Sequence, residues 1–362
     1  MKFTVQKANI LAAMDIAIRV IPAKTTQPIL ECFLIEVDGM EGYITGTGGL
    51  QSIKTGFTCM AEESGKVCIE AKLLMNAIKK MGKSDISFQS EGNAVIVSGA
   101  KARYEFPTRQ IEEYPNFPVF GDAFKVTVDA MRFGSMIDGV SFAVSQKESN
   151  KAATGINLDI KNGNLRLSAL DMVRVAIRNC GIQQEIEQPL NVTIPADTMI
   201  SVARSVTDGD LEIEIGKLQV RFTFGNTTIV SRTYDNKFFN VEQMINQNMP
   251  HKIRCNRKEI LESIDRASVI RQDNTPLVFE VKGDNIRLSM QTSLSQFEEE
   301  VACENDGADV RIGANSAYLL DALKAIDDDM ATIELDKPTM PLYVVDDVAK
   351  DYIYLILPVN LG

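Results

Sequence analysis

The chain repeats itself three times, and that repetition limits its architecture more than any local motif. Lys2-Phe3-Thr4-Val5, Lys125-Val126-Thr127-Val128 and Lys252-Ile253-Arg254-Cys255 each read as a short alternating strand entering an amphipathic helical pattern, at offsets of 123 and 127 residues. A second landmark keeps nearly the same spacing. Val67-Cys68-Ile69, Val192-Thr193-Ile194 and Val310-Arg311-Ile312 each precede another helical pattern, 125 and 118 residues apart. Between the landmarks lie alternating runs at 33–37, 156–160 and 277–281, each followed by a Gly-containing turn and a further strand. The unit is therefore strand, helix, strands, strand, helix, strands. At about 120 residues it is too long for a solenoid repeat and suits an independent domain.

Turn residues collect at Glu113-Tyr114-Pro115-Asn116-Phe117-Pro118 and at Asn246-Gln247-Asn248-Met249-Pro250, which divides the 362 residues into domains 1–120, 121–247 and 248–362. Six helices are expected, at 7–19, 71–83, 130–145, 196–206, 257–271 and 314–326. Their apolar residues share one stripe, as with Ile10, Leu11, Met14 and Ile18, or Leu73, Leu74, Ala77, Ile78 and Met81, or Leu319, Leu320, Leu323 and Ile326. Each helix is thus expected to bury one face against sheet, in an α+β fold with two helices per domain packed on antiparallel strands. Pro195, and Asn315 or Ser316, fit helix entries.

With 49 acidic and 38 basic residues the net charge is −11, which opposes indiscriminate binding to nucleic acid or anionic membrane. Any polyanion site must be local. Across the six helical windows thirteen Lys and Arg outnumber seven Asp and Glu, leaving −17 for everything else. If the repeat turns all six polar faces one way, they form a basic lining suited to a phosphate backbone. The spacing of Lys72, Lys79 and Lys83 stacks them on one helical face. No base-reading motif accompanies them, so contact with DNA would be sequence-independent and permit sliding.

Other chemistries find little material. A single histidine, His251 in a linker-like setting, and no Trp remove histidine-based zinc sites and most nucleophilic triads. Six scattered cysteines without a Cys-x-x-Cys pair read as reduced thiols of a cytoplasmic protein. No run approaches a membrane span of roughly 18 apolar residues, and the first twenty residues lack the pattern of a signal peptide. Gly46-Thr47-Gly48-Gly49 reads as a hairpin turn, and Asp327-Asp328-Asp329 as a solvated turn. No cofactor, metal or catalytic residue is expected. The competing readings are a carboxylate- or metal-dependent nucleotide or sugar enzyme with a site between repeats, and a monomeric peptide-binding scaffold.

Met1-Lys2-Phe3-Thr4-Val5, Lys24-Thr25-Thr26-Gln27-Pro28-Ile29-Leu30, the threefold repeat and Tyr354-Leu355-Ile356-Leu357-Pro358-Val359 together resemble the bacterial DNA polymerase III beta-subunit family, the sliding clamps. The resemblance covers the whole chain in one collinear order. It implies the DNA clamp fold, closing head to tail as a homodimer into a six-domain ring with helices inside and sheets outside. Twelve helices at about 8–10 Å spacing give a ring of about 30–38 Å diameter between axes, wide enough for hydrated duplex. It also implies a non-catalytic processivity factor in DNA replication that encircles double-stranded DNA and tethers the polymerase III alpha subunit. The clamp loader and other clamp-motif replication and repair proteins would be further partners.

Residue by residue, Lys24 falls where the family has a DNA-contacting base, and Lys151 ends a polar loop that resembles another DNA-facing segment. The basic helices add Lys72, Lys79, Lys80, Lys83, Arg132, Arg204, Arg257 and Arg266. The family's pocket for partner peptides maps onto Thr154, Gly155, Leu170, Asp171, Met172, Val173, Arg174, Val175, Tyr234, Asn315, Tyr318, Met340, Pro341, Leu342, Leu357, Pro358, Val359 and Asn360. The dimer contact maps onto Lys72 and Tyr104 facing Val269, Ile270, Glu298 and Glu300. Three features depart from the pattern. Asp171-Met172-Val173-Arg174 stands where a Gly-His pair usually precedes the arginine, Thr233-Tyr234-Asp235 lacks the expected proline, and the chain runs on through Leu361 to Gly362 without the frequent basic residue.

Overall fold

The computed structural model describes residues 1–82, 85–147, 150–182, 184, 189–245, 249–272 and 275–361. Among them are seven helices: α1 (Lys7–Ala17), α2 (Ala71–Lys80), α3 (Ala130–Ser141), α4 (Ala196–Ala203), α5 (Val241–Met244), α6 (Arg257–Ser268) and α7 (Ser316–Lys324). Six fall in the expected windows, each ending a few residues early. At α2 the reason is visible, since the backbone turns extended at Met81 (φ −65°, ψ 154°), just before Gly82. The short α5 was not legible in the sequence.

Each repeat opens as expected, with Lys2–Gln6 entering α1, Phe124–Asp129 entering α3 and His251–Asn256 entering α6. Gly65–Glu70, Leu190–Pro195 and Val310–Ala314 then lead into α2, α4 and α7. His251, expected in a linker, instead begins a strand, with its Nδ1 3.4 Å from Asp306. The Gly48-Gly49 turn joins Glu41–Thr47 to Gln51–Thr58 as a hairpin.

The chain forms two compact bodies, Met1–Gly134 with Asp197–Thr233, and Ser135–Ala196 with Tyr234–Gly362. The first holds a five-stranded sheet and an eight-stranded sheet. Four strands of the second repeat continue into four of the first where Thr227–Arg232 pairs antiparallel with Gln51–Thr58, and the Thr55 and Thr227 hydroxyls meet at 2.8 Å across that join. Ile10 and Met14 of α1 and Leu74 and Ile78 of α2 are buried with Phe3 and Phe88, whose rings stack at 4.5 Å. Tyr114, within the first expected joint, is buried and donates its hydroxyl to the Thr45 carbonyl at 2.9 Å, so this segment is anchored.

The second body is organised on one twelve-stranded sheet. Four strands of the second repeat run into the third where Arg174–Gly181 pairs antiparallel with Tyr352–Ile356. Helices α6 and α7 pack on each other, burying Ile260, Ile264, Leu319 and Leu323. All six cysteines are reduced thiols, five of them buried. No helix among the described residues is long and apolar enough to cross a membrane.

Gly46 is where α1 comes closest to its sheet: a Cβ there would lie 2.5 Å from the Ala17 carbonyl oxygen and 3.0 Å from Val20. Backbone cannot yield as a side chain can. Gly46→Ala is therefore expected to destabilise the protein by about 1–3 kcal/mol, read as a lowered melting midpoint.

Candidate functional site

Arg174 sits at the centre of a polar cluster in the second body. The sequence places it at the start of Arg174–Gly181, immediately after the turn that follows Asn164–Leu170. Alternation along this strand sends Val175 and Ile177 into an apolar cluster on one face, while Arg174 and Arg178 meet polar and aromatic groups elsewhere. Only 11% of the Arg174 side chain is exposed, and each of its three nitrogens donates a hydrogen bond. Nε donates to Asp171 at 2.8 Å, Nη1 to Asp321 of α7 at 2.6 Å and Nη2 to the Phe142 carbonyl at 2.5 Å. The guanidinium also lies 4.3 Å from the Tyr318 ring centre and 5.4 Å from that of Phe142.

The end of the chain is laced into the same place. Ile356 pairs with Arg174, the Leu357 N–H donates to the Val173 carbonyl at 2.9 Å, and the Val359 N–H donates to the Gly313 carbonyl at 2.8 Å. Gly313 is required there, because a Cβ would lie 2.3 Å from the Val359 carbonyl oxygen. Leu357, Pro358 and Val359 thus line the approach to Arg174 as partly or well exposed apolar residues, with Leu342 buried on the neighbouring strand opposite Ile356.

The mapped pocket residues divide. Asp171, Val173, Arg174, Tyr318, Leu357 and Val359 are joined through contacts at Arg174 and the chain end. Leu170 and Val175 belong to the buried cluster with Ala152, Ala153 and Leu355. Thr154 donates its hydroxyl to that of Tyr234 at 3.2 Å, and Gly155 lies against Thr193 and Tyr234. The Asn315 side chain is engaged in capping α7 through the Ala317 N–H. Met340 and Pro341 precede Leu342–Val345, partly buried, and Asn360 and Met172 are exposed.

Sequence reasoning missed Asp321 and Phe142, which complete the arginine cradle, and Phe238 and Val241, which pack on the cluster holding Leu170 and Val175. Asp321 stands one helical turn beyond Tyr318, a signal that i,i+3 spacing could have supplied. The apolar run Phe238-Phe239 before α5 was a second available signal.

The basic set divides as well. Lys24, Lys72, Lys80, Lys151 and Arg204 are exposed and form no ion pair with any described residue. Lys79 pairs with Asp15 at 3.2 Å, Arg132 is exposed on α3, and Lys83 lies outside the described residues. Arg257 is half-buried, with Nη1 3.5 Å from the Leu323 carbonyl. Arg266 grips Glu299 with both Nε and Nη2, at 2.9 and 2.5 Å, and this pairing raises its pKa above the usual arginine value. Arg19 was not singled out from the sequence; it donates to the Ser205 hydroxyl at 2.6 Å, and burial and the neighbouring Arg204 charge lower its pKa.

Of the strand edges that lack a strand partner among the described residues, two carry the mapped contact residues: Ala102–Pro107 at the end of the five-stranded sheet, and 296–302, which pairs on one side only. Tyr104 lies on the first, stacked on Phe106 at 5.9 Å. Glu298 and Glu300 lie on the second, with Glu298 held below the usual carboxylate range by Arg287. Val269, just after α6, is 83% exposed, and Ile270 is partly buried.

Three family models match the chain in order: DNA polymerase III beta subunit, N-terminal domain, over residues 1–118, central domain over 127–240 and C-terminal domain over 242–360. Proteins named beta sliding clamp from Staphylococcus epidermidis and Staphylococcus aureus are 25% identical over 377 aligned residues, covering 99% of this chain and 99% of theirs. Among solved structures, the DNA polymerase sliding clamp from Bacillus subtilis is similar over 100% of both chains with TM-score 0.94 at 23% identity. A Pseudomonas aeruginosa sliding clamp bound to griselimycin matches over 100% of both chains with TM-score 0.95 at 23% identity.

Arg174→Met would leave Asp171 and Asp321 facing a cavity without their cation. The variant is expected to lose roughly 2–4 kcal/mol, seen as a lower melting midpoint. The double variant that also carries Asp321→Leu is expected to recover part of that loss, as a double-mutant cycle reads directly.

Proposed function

This chain belongs to the DNA polymerase III beta-subunit family and is a DNA sliding clamp, a non-catalytic processivity factor of replication; from that premise we propose that two copies close head to tail into a ring around duplex DNA. The enzyme alternative finds no support among these relatives. The domain borders we assign lie near residues 120 and 247.

Two of the unpaired strand edges, Ala102–Pro107 and 296–302, support the ring reading. They are different surfaces of one chain, as a heterologous contact requires, and main-chain pairing between them would satisfy groups otherwise left to water. Lys72 and Tyr104 on one side and Val269, Ile270, Glu298 and Glu300 on the other combine opposite charge with apolar contact.

The DNA-facing set is Lys24, Lys72, Lys80, Lys151 and Arg204, with Lys79, Lys83, Arg132, Arg257 and Arg266 as the remaining members of the basic helices. Sliding needs contacts that are weak and exchangeable, and exposed cations without fixed carboxylate partners suit this. Enclosure replaces affinity: a ring leaves DNA only by opening or by reaching an end. The surroundings of Arg174, with Leu357, Pro358 and Val359, are the dock for short peptides of the polymerase III alpha subunit, the clamp loader and other replication and repair proteins. An apolar approach beside a fixed polar centre is the material such a dock needs. Holding a polymerase there keeps it at high effective concentration near the primer end.

Protein loaded on nicked circular DNA is expected to survive a high-salt wash and to be lost once the circle is linearised, and to sediment at twice its 40.0 kDa chain mass. Equal retention on circle and line, or a 40.0 kDa species at micromolar concentration, contradicts the ring. For the dock, short overlapping peptides tiling the organism's own polymerase III alpha subunit provide the probe. Pro358→Ala with Val359→Ala is expected to weaken the best binder roughly tenfold while leaving the dimer intact; unchanged affinity removes the assignment.

A further inference from the structure

The strand that supplies the 296–302 edge leaves its sheet at a pair of cysteines. Gln296–Asn305 runs beside His251–Asn256 for only three residues, with Ile253 opposite Asn305, Arg254 opposite Glu304 and Cys255 opposite Cys303. Past that point His251–Asn256 turns into α6, and 296–302 keeps a partner on one side only among the described residues. Cys255 and Cys303 are thus the last rung before the edge runs free. Their side chains share a face, because residues directly opposite in an antiparallel pair point the same way. The backbone shows which kind of rung it is. The Cys303 N–H donates to the Asp284 carbonyl at 2.9 Å, away from Cys255. On the other strand the Arg257 N–H, two positions after Cys255, donates to the Asp329 carbonyl at 2.9 Å, so Cys255 directs its own backbone groups at Met330–Leu335 and away from Cys303. The pair is therefore non-hydrogen-bonded, the class in which Cα atoms approach to about 4.5 Å and side chains lie closest. That separation falls within the roughly 4.4–6.8 Å that a disulfide spans. Access is also provided: Cys255 is 1% exposed, but Cys303 is half-buried, alone among the six cysteines. Cys32 and Cys68 also lie on paired strands, yet they stand opposite Glu70 and Leu34 and both are buried. Burial pushes Cys255 up to about 12 and raises Cys303 as well, so both stay protonated at neutral pH until an oxidant engages them.

We propose that Cys255 and Cys303 close into a reversible intrachain disulfide, a redox-responsive staple at the base of the 296–302 edge. The oxidant is a low-molecular-weight disulfide of the glutathione class. Cys303, the accessible thiol, gives its proton to solvent and attacks one sulfur of that disulfide, whose S–S bond breaks and releases one thiolate. Cys255, deprotonated in turn, attacks the Cys303 Sγ of the mixed disulfide and expels the second thiolate. One S–S bond replaces two S–H bonds in the protein, two electrons pass to the small disulfide, and two protons end on its two thiols. In a reducing compartment the pair stays open, and closure is transient. The bond fixes the point at which the edge departs from the sheet. Its formation is independent of the ring reading, whereas its place beside a ring contact rests on that reading.

In the test the full chain is incubated with oxidised glutathione, the remaining thiols are blocked, and the protein is digested without reduction for mass mapping. A peptide joining Cys255 to Cys303 is expected, roughly tenfold or more above any Cys32–Cys68 link, and dithiothreitol is expected to remove it. Amide hydrogen exchange across 296–305 is expected to slow roughly fivefold on oxidation, since opening at the last rung is then blocked covalently. Cys255→Ala is expected to leave Cys303 carrying glutathione, trapped without a resolving thiol, and Cys303→Ala to leave Cys255 unmodified. The wild-type map and exchange rates stand even where a variant does not fold. Absence of the 255–303 link, glutathione held stably on wild-type Cys303, or equal exchange in the two redox forms overturns the inference. A chain that forms the link but no ring keeps the staple and loses only the ring reading.

Discussion

The antiparallel pairing of Arg174–Gly181 with Tyr352–Ile356 is the constraint on which the second body depends. It joins the second repeat's strands to the third repeat's in one sheet, and it decides which side chains share a face. With Arg174 opposite Ile356 and Arg178 opposite Tyr352, the first guanidinium reaches Asp321 and Tyr318 of α7. The second donates to the Tyr354 hydroxyl and the Ala325 carbonyl. A slip of one residue would turn both arginines into the apolar cluster and bring Val175 and Ile177 out of it. Because the partner strand belongs to the third repeat, the site cannot form until the second and third repeats are both available.

Charge is divided with similar economy. The cations of this acidic chain fall into two kinds. Arg266 with Glu299, Lys79 with Asp15 and Arg174 with its two aspartates are neutralised where they stand and contribute to local order. Lys24, Lys72, Lys80, Lys151 and Arg204 keep their charge facing solvent. Side chains of the second kind attract a phosphate backbone without gripping it, since each contact exchanges with water and counterions. Arg19 has its pKa lowered first by burial and then by the Arg204 charge beside it.

The joints between repeats show where reading by composition loses its hold. Residues 113–118 and 246–250 are turn-rich, and pattern alone makes them linkers. Tyr114 is nevertheless pinned by its hydroxyl inside the first body, and Phe238 and Val241, just ahead of the second joint, cover Leu170, Val175 and Leu355. Hydrophobic residues in a short segment have no periodicity to betray them, so their burial depends on a surface that only the assembled sheet provides.

From sequence alone, the threefold repeat, the six long helices with their buried stripes, the strand entering each repeat and the excess of positive charge on the helices could all be derived, because each is written in local pattern at fixed spacing. Family resemblance located the residues around Arg174. Tertiary structure alone decided that Asp321 and the Phe142 carbonyl complete the arginine's cradle, and which cations are already paired. It also set Met172 in a turn that strains it. Those outcomes join positions as many as 147 residues apart, and pairing across such distances follows from strand register and helix packing, which no local stretch of sequence encodes.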